Sequence, residues 1–285
     1  MKRGVLAVGA HGRSLLANVS RVDVERGMAG PIPYAAVGSG RTVVVCAGLW
    51  PTTGVDSELL VRGAITPLHR TGGRRVVVLN RRRNLPTEVS MRDFALEYAN
   101  AIRSDLGAPV DVVGTSTGGS IAQQLAADHP DVVRRLVLIS TACRLGSLAR
   151  EVQSQVAGYL RAGRYRSAVA TIWADLAPTG FRTLARGVGW ASARHVLGDA
   201  AAAADLAGTL EAEDGFDLAQ CSKAIQASTL IVAGGRDRYY SRELFAETAS
   251  LVPNSHLRLF RRRGHMTVSG DPRAQTMIAG FLSGS

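Results

Sequence analysis

Six short runs rich in branched aliphatic residues punctuate the chain, at 42–47, 75–80, 110–114, 136–140, 229–233 and 256–260. In most of them apolar residues follow one another without alternating with polar ones. Because successive side chains of a strand point to opposite faces, an unbroken apolar run predicts a strand covered on both sides, as in a parallel sheet. Helical patterns lie between the runs, notably over 90–105 and over 118–128, the second ending at His129-Pro130. Strand followed by helix, repeated, predicts βαβ units and an α/β fold with a mostly parallel central sheet flanked by helices. The rhythm breaks between residues 145 and 219. No strand pattern occurs there, and an alanine-rich sequence with Gly163, Pro178, Gly187 and Gly208 as punctuation predicts a helical insertion between two strands.

Length and composition fit this picture. A chain of 285 residues with 46% apolar content can bury one substantial α/β core. Three cysteines, Cys46, Cys143 and Cys221, form neither an even set nor a CxxC pair, so no disulfide framework or thiolate zinc site is expected, and a reducing compartment, the cytoplasm, is. The first residues pair a basic start with a short apolar stretch, but Gly9, His11, Gly12 and Arg13 interrupt it, and the segment reads as a non-cleaved N-terminus. No apolar run is long enough to span a bilayer, so stable membrane insertion is not expected. The formal charge of +11 raises the question of nucleic acid. Nearly all of it is arginine scattered over the whole length, without aromatic interleaving at the clusters 81–83 and 261–263, so no nucleic-acid partner is expected.

Candidate chemistry concentrates at Gly114-Thr115-Ser116-Thr117-Gly118, a G-x-S-x-G sequence placed between a predicted strand and a predicted helix. A sharp strand-to-helix turn lifts the serine above the sheet edge, and glycine on either side removes side chains that would strike neighbouring backbone. A phosphate-binding loop would need a lysine or a GxGxxG spacing that this segment lacks. Serine alone is a poor nucleophile at neutral pH and needs a base oriented by a third group. Of the six histidines, His11, His69, His129, His195 and His256 fall in ordinary structural contexts, whereas His265 follows the last predicted strand. The acid is expected after the strand at 229–233, in Gly234-Gly235-Arg236-Asp237; the preceding strand ends Ile139-Ser140-Thr141-Ala142 without a carboxylate. Ser116, His265 and Asp237 are therefore the expected nucleophile, base and orienting acid.

The order Ser116, Asp237, His265, each after its own strand, resembles the α/β-hydrolase superfamily, in particular its cap-bearing esterase, lipase and peroxidase-like members. The resemblance implies a core domain of residues 1–144 and 220–285 with a helical cap at 145–219 over the active site. It also implies an oxyanion hole of two backbone N–H groups, one from Thr117 and one from the loop after the strand at 42–47. That loop reads Ala47-Gly48-Leu49-Trp50-Pro51, keeping the family's glycine but not its histidine, so Leu49 is the expected second donor and Trp50 the alternative. Trp50 is also a candidate for the substrate pocket, or for packing against the cap. The arginines at 81–83 are expected as solvated loop charges, with a hold on an anionic substrate group as the other reading. The implied activity is hydrolysis of an ester-type bond in a small-molecule substrate, with no metal and no organic cofactor. An acyltransferase, a cofactor-free perhydrolase and a non-catalytic ligand receptor are the alternatives on the same scaffold, and the oligomeric state is not readable.

Overall fold

The computed structural model describes residues 24–177, 179–221 and 223–284; the N-terminal reading, with His11, and Pro178 lie outside them. Its strands are β1 (Glu25–Ala29), β2 (Ile32–Val37), β3 (Arg41–Cys46), β4 (Arg74–Leu79), β5 (Val110–Thr115), β6 (Val133–Ile139), β7 (Ser228–Gly234) and β8 (Ser255–Phe260). Its α-helices are α1 (Glu58–Ile65), α2 (Met91–Ala101), α3 (Thr117–Asp128), α4 (Ser147–Arg161), α5 (Tyr165–Leu176), α6 (Arg182–Leu197), α7 (Ala200–Asp214), α8 (Arg242–Leu251) and α9 (Pro272–Ser283). All eight strands join one sheet in the order β1-β2-β4-β3-β5-β6-β7-β8. The six from β3 to β8 run parallel, and β1 and β2 add an antiparallel edge.

The valine runs behave as their pattern requires. Val44, Val77, Val112 and Leu138 face one buried layer, shared with Phe94, Tyr98 and Leu125 of α2 and α3 and Phe245 of α8. Their chain neighbours Val43, Val78, Val113 and Val137 face the other, shared with Leu60 of α1 and Ile278 of α9. Each of these four strands thus buries both faces, which is why alternation is missing from its sequence, whereas the edge strand β8 alternates and stays partly exposed.

Two features differ from the sequence reading. The β1–β2 hairpin has no strand signal in Glu-Arg-Gly-Met-Ala; it forms because β2 pairs with the open edge of β4, and pairing at an edge overrides weak propensity. The helix expected over 90–105 keeps α-geometry only over Met91–Ala101, where Ser90 and Asp93 form a capping box, and its last turn widens to π-geometry over Ile102–Leu106 before Gly107 at φ +79°.

β3 has β4 on one side and β5 on the other, so the chain reverses direction across the sheet between them. The carboxyl ends of β3 and β5 then flank a crevice, the usual position of a site in an open α/β sheet. Between β6 and β7 the chain builds α4 to α7, whose facing sides form a separate apolar cluster that includes Val156, Leu160, Val169, Leu206 and Leu210. The two strands of the neck meet at Arg144 and Asp217, and the Leu218 N–H donates to the Cys143 carbonyl at 2.8 Å. Cys46, Cys143 and Cys221 are free, and among the described residues no helix is long and apolar enough to cross a membrane.

Candidate active site

Ser116 sits between β5 and α3 with φ 52° and ψ −126°, a conformation that L residues rarely adopt. The turn holds because its surroundings leave no alternative. A β-carbon on Gly118 would lie 2.1 Å from the Cys46 carbonyl oxygen and 2.5 Å from that of Ala47. Glycine at 118 therefore lets the end of β3 press against the first turn of α3, and the serine between them is driven up over the sheet edge.

The loops after β7 and β8 are knitted together. Gly235 N–H donates to the Phe260 carbonyl at 2.9 Å and Arg236 N–H to that of Arg263 at 2.8 Å. A β-carbon at Gly235 would meet the Arg261 Cα at 2.7 Å, so this approach also needs glycine. It brings Asp237 and His265 side by side. His265 Nδ1 is 2.9 Å from Asp237 Oδ2, and His265 Nε2 is 3.0 Å from Ser116 Oγ. A carboxylate can only accept, so Nδ1 carries the proton and Nε2 presents its lone pair to the serine hydroxyl. The Asp237 side chain is fully buried, and its other oxygen accepts from the Tyr239 and Tyr240 N–H groups at 2.9 and 3.2 Å. One carboxyl oxygen closes the loop turn while the other orients the imidazole. Tyr239 packs edge-on against the His265 ring and Tyr240 stacks on it, and Ser140 Oγ donates to the His265 carbonyl at 2.8 Å.

Thr117 opens α3, where a helix has no internal acceptor for its N–H groups. Leu49 lies in the loop after β3, whose Gly48 approaches the Thr115 carbonyl beneath the serine turn. Leu49 packs against the apolar cluster of the insertion, whereas Trp50 packs against the core layer shared by α1 and α9, not against the insertion. The arginine cluster is not the set of solvated charges expected. Arg81 is only 3% exposed and donates through Nη2 to the Trp50 and Thr52 carbonyls, while Arg82 pairs with Glu97 and Arg83 with Asp199. Burial pulls the Arg81 guanidinium down to about 10, which still leaves it cationic at neutral pH. Asn80 Nδ2 adds bonds to the Thr52 and Gly54 carbonyls at 3.2 and 2.7 Å, so the end of β4 clamps the whole loop that carries Leu49.

Two carboxylates of the insertion reach this site, and neither has a signal in the sequence. Glu213, fully buried near the end of α7, accepts from Thr117 Oγ1 at 2.7 Å, Ser120 Oγ at 3.0 Å and Gln153 Nε2 at 3.1 Å. Burial raises its carboxyl above the ordinary range, against the pull of those donors. Asp175 of α5 accepts from the Tyr239 hydroxyl and pairs with Arg182. Among the described residues the other histidines lie apart from these three side chains, His69 closing the short turn of 66–68, His129 capping α3, His195 in the last turn of α6 and His256 in β8.

Residues 43–276 match the model of the alpha/beta hydrolase family. Among curated proteins the chain is similar to the lipase LipV of Mycobacterium tuberculosis, 45% identical over 75 residues, which is 25% of this chain and 29% of that protein. It is also similar to a pimeloyl-[acyl-carrier protein] methyl ester esterase of Neisseria meningitidis, 47% identical over 47 residues, 16% of this chain and 18% of that one. The match thus spans less than a third of either relative. Among solved structures the enol-lactonase of Burkholderia xenovorans superposes with a TM-score of 0.68 at 18% identity, covering 91% of this chain and 100% of that one, a likeness of fold.

Proposed function

The chain belongs to the alpha/beta hydrolase family, and from that premise we propose that it is a serine-dependent hydrolase that cleaves an ester-type bond through an acyl-enzyme. The observation that carries this reading is the single imidazole of His265, hydrogen-bonded to Ser116 Oγ through one nitrogen and to a buried Asp237 through the other. Ser116 Oγ attacks the substrate carbonyl as His265 Nε2 takes its proton, and Asp237 stabilises the imidazolium that forms. Negative charge on the carbonyl oxygen is met by the N–H groups of Thr117 and Leu49, each worth about 3–4 kcal/mol to the barrier. His265 returns its proton to the leaving alcohol, and water, activated the same way, releases the acid.

The insertion of α4 to α7 serves as the cap over the crevice, a reading supported by its contacts with Leu49, with Thr117 through Glu213 and with Tyr239 through Asp175. The ester-cleaving relatives support an ester as the bond type. Three free cysteines support a reducing, cytoplasmic setting.

A fluorophosphonate probe tests the chemistry directly. Peptide mapping is expected to place the adduct on Ser116, and Ser116→Ala is expected to lose both the adduct and hydrolysis of p-nitrophenyl butyrate. An adduct on another serine, or hydrolysis surviving in Ser116→Ala, would refute the assignment.

A further inference from the structure

Among the described residues, ten large apolar side chains are exposed, and six of them fall between 173 and 190, in the hairpin of α5 and α6. The crossing of the two helices uses Trp173 among them but not Phe181, Leu184 or Val188. The helices cross closely at Gly189, where a β-carbon would lie 2.9 Å from the Val169 carbonyl oxygen, and their contact is made by Gly189, Ala193 and Val169. Leu184 and Val188 share the outer face of α6, Phe181 stands just before its first turn, and the three are 67%, 44% and 62% exposed. An apolar stripe of this size on a surface helix marks an interaction site rather than ordinary surface.

Its surroundings say with what. Residues 161–198 carry six arginines against one aspartate, a net +5 from a short part of a chain whose total is +11. That aspartate, Asp175, is buried and already paired with Arg182 and Tyr239. Arg164, Arg166 and Arg194 line a groove of about 450 Å³ beside the same helix; the groove's one acidic group, Asp199, is paired with Arg83, and Arg166 lies 4.1 Å over the exposed ring of Trp190. Outward apolar side chains beside long cationic ones, with a tryptophan between, are what a helix lying in the plane of an anionic lipid surface requires.

We propose that the outer face of α6 is a peripheral docking surface for anionic lipid, with Leu184 and Val188 entering the acyl boundary and Arg166 and Arg194, on the flank marked by Trp190, meeting headgroup phosphates. The proposal does not depend on the hydrolase reading. Taken with it, the face would hold the cap against the interface at which a lipid ester is presented.

Sedimentation with sucrose-loaded vesicles tests it, using the full chain with Ser116→Ala so that no lipid is consumed. The protein is expected to bind phosphatidylcholine vesicles containing phosphatidylglycerol at least about tenfold more tightly than phosphatidylcholine alone. Leu184→Ser with Val188→Ser is expected to weaken that binding by about tenfold or more, and Arg166→Glu with Arg194→Glu to abolish the preference for the anionic lipid. These positions are exposed, so the thermal midpoint is expected to hold in both variants. In the Ser116 background, both are expected to hydrolyse soluble p-nitrophenyl butyrate as the parent does, which separates failure of docking from failure of the chemistry. Absence of vesicle binding, or binding indifferent to both pairs of substitutions, would overturn the proposal. So would a dimer in solution that Leu184→Ser with Val188→Ser dissociates, since the stripe would then be covered by a second copy.

Discussion

Asp237 divides its two oxygens between different tasks, and that division makes its replacement informative. In Asp237→Asn the amide oxygen can still accept from the Tyr239 and Tyr240 N–H groups, which leaves the NH₂ facing His265 Nδ1. The imidazole must then carry its proton on Nε2, where it can no longer accept from Ser116. The expected result is a fall in kcat of about 10⁴-fold on a p-nitrophenyl ester, with the thermal midpoint nearly unchanged because the turn is still satisfied. A loss below about tenfold would place the orienting acid elsewhere. Ser116, Asp237 and His265 were legible in the sequence because each lies just after a strand pattern and the serine and aspartate are flagged by glycines that only a tight turn needs. Glu213, Asp175 and Tyr239 were not. A glutamate in Glu-Ala-Glu-Asp at the end of a helix looks like any solvated charge, and only the folded neck of the insertion brings it to Thr117.

At the scale of elements, the loop after β3 has exchanged one kind of anchor for another. Where the family keeps a histidine beside the glycine, this chain has Ala47-Gly48, and the loop is instead held from the end of β4 by Asn80 and Arg81. A buried guanidinium that donates to the Trp50 and Thr52 carbonyls fixes the peptide planes that follow Leu49, and so limits how far the loop carrying its N–H can shift. Arg81→Gln is expected to lower kcat by about 10- to 100-fold with little change in KM, because a misaimed donor is missed only where charge develops. The check is kinetics on an ester and its thionoester, since sulfur draws less from the same donors: the ester should lose much more than the thionoester, and equal losses would indicate a merely structural role. Arg82 and Arg83, paired with Glu97 and Asp199, show why the run could not be resolved from sequence. Three consecutive charges give no sign of which one turns inward. The valine strands could be resolved because burial on both faces leaves its mark at every position, whereas the edge strand β1 is specified by the neighbour it completes and carries no such mark.

Across the whole molecule, the insertion and the sheet are joined through ionisable groups placed on either side of the triad, Asp175 through Tyr239 and Glu213 through Thr117 and Ser120. Through Glu213 the attachment of the insertion depends on pH. Burial raises the Glu213 carboxyl above its ordinary 4.5, so the folded protein retains this proton to a higher pH than the unfolded chain does. The folded state binds more protons across that interval, and stability must fall as pH rises through it. Below pH 4.5 both states are mostly protonated and the group contributes its full stabilising share; above its raised folded value that share is lost. Glu213→Gln keeps the size and one acceptor oxygen but cannot ionise. Its loss of a second acceptor for Thr117, Ser120 and Gln153 is a constant offset, whereas the titration is not. The thermal midpoint of the wild type minus that of Glu213→Gln is therefore expected to decline steadily as pH is raised from about 4.5 toward neutrality, measured by calorimetry at matched ionic strength. A difference that stays flat, or that grows with pH, would mean that the carboxyl is held ionised by its three donors throughout, and that the insertion is joined to the serine turn by a permanent charge.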